Sequence, residues 1–67
     1  MNLTTAVARR VRQRRESLGM TQARLAHAAG ISRGYLNRLE AARQDPTLTV
    51  LANLAKALKV TVTTLVR

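Results

Sequence analysis

Apolar residues recur along this chain at spacings of three, four and seven, the period of a helix with one buried face. Val7, Val11 and Leu18 form one such stripe. They predict a first helix that starts at about Thr4 or Thr5, either of which can cap it, and that ends at Gly19. Thr21 is then placed to cap a second helix, Gln22 to Ala29, with Leu25, Ala26 and Ala29 on one face and Gly30 to stop it. Ile31 can turn into the core, and Ser32 caps a third helix reaching to about Ala42, with Leu36 and Leu39 inward. Asp45-Pro46 marks a turn, because the residue before a proline avoids helical angles. Thr47 caps a fourth helix whose Leu48, Leu51, Leu54, Ala55 and Leu58 are spaced for deep burial. Thr61 starts a short fifth helix with Val62, Leu65 and Val66 as its apolar members. The run from Val60 to Thr64 also alternates like a strand, but a lone strand has nothing to pair with, so a helix is expected. The pattern is all-α, five helical pieces in one domain spanning residues 1–67, since 67 residues leave no room for a second.

Composition narrows what such a domain can do. Without cysteine there is neither a disulfide nor a thiolate metal site. Glu16, Glu40 and Asp45 are the three carboxylates, and His27 is a lone histidine with no acidic or thiol neighbour. Neither an acid–base pair nor a metal centre is therefore expected, so we expect no enzyme, no cofactor and no small-molecule ligand. No apolar run suits a leader peptide or a membrane span, which makes the cytoplasm, at the nucleoid, the expected location.

Charge then points to a partner. The chain carries a net +9, and ten of its twelve basic residues are arginine, five of them between positions 9 and 15. Such a surface attracts phosphate. Tyr35 is the sole aromatic residue, so the stacking platforms of a single-strand binder are missing. The leucines are spread over the whole chain as a globular core requires, rather than gathered on one basic amphipathic helix, which argues against a membrane surface. Double-stranded nucleic acid fits best.

The second and third helices are joined by a short turn containing glycine, the signature of a helix-turn-helix over about residues 21–42. The residues have physical reasons. Small Ala26 allows close approach of the two helices, Gly30 makes the turn, and Ile31, Leu36 and Leu39 pin the third helix. At about 100° per residue, Arg33, Gly34, Asn37 and Arg38 share an outward sector of that helix, opposite Leu36 and Leu39. A face of Arg, Asn and Gly at a helix amino terminus suits a major groove.

From about Val11 to Val66 the chain resembles the Cro/phage-repressor (Xre-type) helix-turn-helix family of bacterial and phage DNA-binding proteins. The resemblance runs through Leu18-Gly19-Met20-Thr21-Gln22, Leu25-Ala26, Ala29-Gly30-Ile31-Ser32, Tyr35-Leu36, Leu39-Glu40, Pro46-Thr47-Leu48, Leu51, Leu54-Ala55 and Ala57-Leu58. It implies a five-helix repressor-like domain, a double-stranded operator as partner and a homodimer. Residue by residue, it implies base contacts from Arg33, Gly34 and Arg38, with Asn37 beside them. It implies phosphate contacts from Gln22, Ser32, Tyr35 and Arg43, and an internal ion pair between Arg15 and Glu40. Val60, Val62, Leu65 and Val66 offer more apolar surface than a short terminal helix needs, and are the candidate dimer interface.

Five positions depart from the family pattern. Ala42 stands where glycine is frequent, and Ala41 where Asn, Arg or Ser is. Arg14 falls on the apolar stripe where leucine is common, and is expected to snorkel outward along its stem. Thr63 and Thr64 replace acidic residues frequent in the last helix. The expected function is a sequence-specific regulator that inserts its third helix into an operator. The alternative is an antitoxin-like interaction module that masks a partner protein.

Overall fold

The computed structural model describes residues 2–67. They form five helices, α1 (Leu3–Ser17), α2 (Gln22–Ala29), α3 (Arg33–Glu40), α4 (Leu48–Leu58) and α5 (Val62–Val66), with no strand among the described residues. The segment that alternates like a strand is helical because Thr61 caps it, its side chain accepting a hydrogen bond from the Thr64 amide.

Each helix opens on a polar side chain that takes up one of the amides left without an intrahelical partner. Asn2, Thr21, Ser32, Thr47 and Thr61 do this in turn. The expected cap at Thr4 or Thr5 is therefore corrected: α1 begins earlier, at Leu3, with the Asn2 carboxamide accepting from the Thr5 amide at 2.8 Å. Thr4 instead donates its hydroxyl to the Asp45 carboxylate, fastening the start of α1 to the loop after α3.

The first four helices end alike, each followed by one residue in the left-handed region: Gly19, Gly30, Ala42 and Lys59, at φ of 69°, 71°, 60° and 60°. At each stop, that residue's amide reaches three residues back and the next amide reaches five back, which satisfies carbonyls of the last turn. Ala42 thus lies outside α3, which is two residues shorter than expected, and acts as its stop in the conformation that glycine adopts most easily.

One continuous core holds the five helices together. α2 packs against α3 and α4, while α1 lies across α3, α4 and α5. Val7, Val11, Leu25, Leu36, Leu39, Leu54, Leu58 and Leu65 are its fully buried large side chains. Two leucines expected inside are outside. Leu18 is 39% exposed because it follows the last residue of α1, and Leu48 is 75% exposed because it is the first residue of α4, facing away from the core. Arg14, on the buried side of α1, is half-buried and bonds within the fold, where the sequence predicts outward snorkelling. Its Nε donates to the Leu58 carbonyl at 3.0 Å, satisfying an acceptor in the last turn of α4.

Leu65 needs a correction of another kind. It is wholly buried against the core, so it offers no surface for a dimer. Val60, Val62 and Val66 are half-buried and pack on the same cluster.

Candidate nucleic-acid interface

The turn between α2 and α3 decides which way α3 faces. Gly30 takes the left-handed conformation, the Ile31 amide returns to the Ala26 carbonyl at 3.0 Å, and the Ser32 hydroxyl accepts the Tyr35 amide at 3.0 Å. Ile31 packs against the core, and Leu36 and Leu39 bury the inner side of α3 completely. What remains outward is Arg33, Gly34, Asn37 and Arg38, all exposed, with exposed Ser32 at the amino-terminal end. These are the four residues that helical periodicity places on one sector. Gly34 is not required by backbone geometry or space. A β-carbon there would lie 3.5 Å from the Arg38 Nη1 atom, an ordinary contact. Its effect is to leave the helix backbone bare in the middle of a basic face.

Beneath that face lies a polar network anchored in the core. Arg15 on α1 donates from Nε to Glu40 Oε2 at 2.7 Å and from Nη2 to Glu40 Oε1 at 3.0 Å, while its Nη1 donates to the Met20 carbonyl at 2.8 Å. Only 12% of the Arg15 side chain and 4% of the Glu40 side chain are exposed. Hydrogen bonding to Glu40 raises the Arg15 pKa above its ordinary value; burial works against this, and the charges of Glu40 and then Glu16 add to it. Gln22, the first residue of α2, donates from Nε2 to Glu40 Oε1 at 3.0 Å, and Asn37 donates from Nδ2 to Gln22 Oε1 over a longer 3.5 Å. The network therefore joins α1, α2 and α3 and ends on the exposed sector. One N–H of the Gln22 amide stays uncommitted.

Tyr35 departs from expectation. Its ring packs against the core and its hydroxyl is buried without a hydrogen-bond partner, so in this conformation it cannot reach a phosphate. The ring serves instead as a floor for Arg38, whose guanidinium carbon lies 6.0 Å from the ring centroid. Arg38 is steadied from the other side by Gln44, which accepts from its Nε at 3.4 Å and whose own Nε2 lies 3.5 Å from the Asp45 carbonyl. Arg43 is exposed just past the Ala42 stop, its amide bonded to the Arg38 carbonyl at 2.9 Å.

Two residues beside this surface escaped the sequence reading. Gln44 lies in the irregular loop after α3, where periodicity carries no information. Arg12 lines the same polar hollow as Gln22, Asn37 and Glu40, and is paired with Glu16 at 3.5 Å one turn along α1. The α1 arginines blur into one cluster when read from sequence, whereas the structure places Arg12 beside Arg15 on this hollow.

Among the described residues no group of three His, Cys, Asp or Glu side chains is placed to hold a metal ion, and no helix is long and apolar enough to cross a membrane.

The family model described as Helix-turn-helix, HTH_3, matches residues 11–65. Among solved structures, the chain is similar to the restriction-modification controller protein C.AhdI from Aeromonas hydrophila, at 27% identity over 92% of this chain and 94% of that one, with a TM-score of 0.89. It is similar to the clp gene regulator ClgR from Corynebacterium glutamicum, at 32% identity over 97% of this chain and 69% of that one, with a TM-score of 0.92. It is also similar to SinR, the master regulator for biofilm formation, of Bacillus subtilis, solved in complex with DNA; here identity is 31% over 91% of this chain and 98% of that one, with a TM-score of 0.87. No curated protein gives a significant match.

Proposed function

The chain belongs to the Helix-turn-helix family HTH_3, and from that membership we propose how it works as a DNA-binding transcriptional regulator: it lays α3 in the major groove of an operator and reads base edges there. The observation that carries this reading is the exposed sector Arg33-Gly34-Asn37-Arg38, free of apolar side chains and held outward by a turn that buries Leu36 and Leu39 behind it. The likeness to SinR, whose structure contains DNA, supports the choice of partner.

In this reading Arg33 and Arg38 present planar forks suited to guanine, Asn37 an amide, and Gly34 a bare backbone that permits close approach. Ser32, Gln22 and Arg43 surround them with donors to phosphate. The Ser32 oxygen accepts the Tyr35 amide, which leaves its hydroxyl hydrogen to donate. The amino termini of α2 and α3 add the favourable end of each helix dipole. Residues 1–67 act as one DNA-reading unit in the compartment that holds the DNA. Two copies sit on a palindromic site, meeting through the half-buried valines Val60, Val62 and Val66.

Selection of bound duplexes from a random pool, followed by titration of the winner and of a scrambled duplex, tests this reading. We expect the selected duplex to bind at least about a thousandfold more tightly than the scrambled one. Affinity should fall with salt at a logarithmic slope of about −0.9 per phosphate contacted. Equal affinity for both duplexes at every salt concentration overturns sequence-specific reading.

A further inference from the structure

The hydrogen bonds that lead from the core to the reading face have a forced direction. They begin at Glu40, whose carboxylate lies against Arg15 and, beside that guanidinium, can only accept. Gln22 must therefore turn the amino end of its amide toward Glu40, as it does at 3.0 Å from Nε2 to Oε1. The reverse orientation sets a carbonyl oxygen against a carboxylate oxygen at that same distance, which is repulsive. With its amino end committed, Gln22 presents Oε1 to its other neighbour, the Nδ2 of Asn37, 3.5 Å away. A carbonyl also only accepts, so Asn37 spends one N–H on Gln22. Its Oδ1 and its second N–H are left uncommitted on the exposed sector of α3.

An asparagine on a bare helix turns either end of its amide toward a base at little cost. The carbonyl end suits a base that offers an amino group; the amino end suits guanine or thymine, which offer oxygen. Here the free N–H and Oδ1 face the base together, so an edge that offers only acceptors meets the carbonyl as well as the N–H; turning the carbonyl away sets it against the Gln22 carbonyl, or flips Gln22 against Glu40. Resting on the reading of α3 as the groove helix, we infer that Asn37 is a specificity-determining residue set by the buried carboxylate two bonds away, and that its base is adenine. Adenine alone offers an amino hydrogen at N6 beside an acceptor at N7, the complement of one carbonyl and one N–H on the same amide. Gln22 is then a positioning residue: it passes the polarity of Glu40 to Asn37.

The test begins with sites selected from random duplexes by the full chain and by Asn37→Ala. The base pair whose preference the substitution erases is the one Asn37 reads, and we expect adenine there. Replacing that adenine with purine, which lacks the 6-amino group, should weaken binding of the original protein about tenfold and leave Asn37→Ala unaffected. Gln22→Leu and Gln22→Met release the amide of Asn37. Both should bring adenine and guanine to near parity at this pair while the preferences set by Arg33 and Arg38 persist. A G·C pair at the position Asn37 reads overturns the inference, as does an unchanged preference in both Gln22 variants. If Arg33→Ala and Arg38→Ala alter preferences elsewhere and Asn37→Ala alters none, the inference fails and the groove reading stands. If none of the three alters any preference, the groove reading itself fails.

Discussion

Arg15 and Glu40, 25 residues apart in sequence, meet through two parallel hydrogen bonds of 2.7 and 3.0 Å that clamp α1 to the last turn of α3. The carboxylate also takes the Gln22 amide, so three helices share one charge that water scarcely reaches. A buried pair of this kind contributes little beyond what apolar packing would, yet breaking it leaves an uncompensated charge. Glu40→Gln is therefore expected to cost about 3 to 5 kcal/mol. Arg15→Met combined with Glu40→Leu should recover most of that loss. Urea denaturation of Glu40→Gln and of the double variant measures the difference, and a Glu40→Gln loss no greater than that of an exposed change such as Arg12→Gln overturns the clamp.

Helix ends offer stability that the chain does not use. Ala42 and Lys59 adopt the left-handed conformation at φ of 60°, which costs a residue with a β-carbon about 1 kcal/mol relative to glycine. Ala42→Gly and Lys59→Gly should each raise stability by up to about 1 kcal/mol with an unchanged denaturant slope. Gly30→Ala should lower it by a similar amount. A stability loss in Ala42→Gly as large as that in Gly30→Ala would mean that the chain entropy of glycine outweighs relief at the stop.

Gly34 presents the opposite trade. It sits inside α3 with room for a β-carbon, so Gly34→Ala should stabilise the fold by about 0.5 to 1 kcal/mol through helix propensity. The same methyl lies on the face proposed to approach DNA, where it separates backbone from base edges. A melting experiment paired with titration of the selected duplex should show the two effects with opposite sign. Higher stability with undiminished affinity would show that the bare backbone has no part in binding.

Much of this architecture is legible from residue types, for reasons that differ by element. The threonine and serine caps at positions 21, 32, 47 and 61 and the glycine stops at 19 and 30 are local signals, and each is found where side-chain chemistry places it. The stop at Ala42 does not show in the residue type because alanine normally continues a helix; it shows in the positive φ and in the Ala42 and Arg43 amides that close the last turn. Leu48 misleads because periodicity assigns a face without saying where along the helix that face meets the core. At the site, periodicity alone gathers Arg33, Gly34, Asn37 and Arg38. The bond from Gln22 to Glu40, the buried Tyr35 hydroxyl and the Gln44 brace on Arg38 depend on contacts between elements, and no single-element pattern contains them.

Arg33 and Arg38 should differ from the other arginines in what their loss does. Each is expected to recognise a base edge by a bidentate pair, so replacement by alanine should weaken a matched site about 1 to 3 kcal/mol more than a mismatched one. Arg43→Ala, by contrast, should weaken both equally and reduce the salt slope by about one. Gln44→Ala removes the brace on Arg38 and should erode discrimination at the same base pair as Arg38→Ala, by a smaller factor. Equal weakening of matched and mismatched duplexes by Arg33→Ala and Arg38→Ala would make both of them phosphate contacts.

The proposed homodimer rests on Val60, Val62 and Val66, which are half-buried at the end of the fold that α5 forms. Leu65 cannot test it, because a charge at a fully buried position unfolds the core. Val62→Lys and Val66→Lys place the charge where the chain already meets water. One helix-turn-helix reads a few base pairs, while two related by a twofold axis read half-sites one helical turn apart. Each copy also carries a net +9, so association without DNA meets both like-charge repulsion and lost translational freedom, and adjacent half-sites offset both. Sedimentation should therefore find one copy in free solution and two on a palindromic duplex. Val66→Lys should weaken the second binding step while leaving affinity for a single half-site unchanged. Saturation at one copy per palindrome, or equal loss on palindrome and half-site, overturns the dimer.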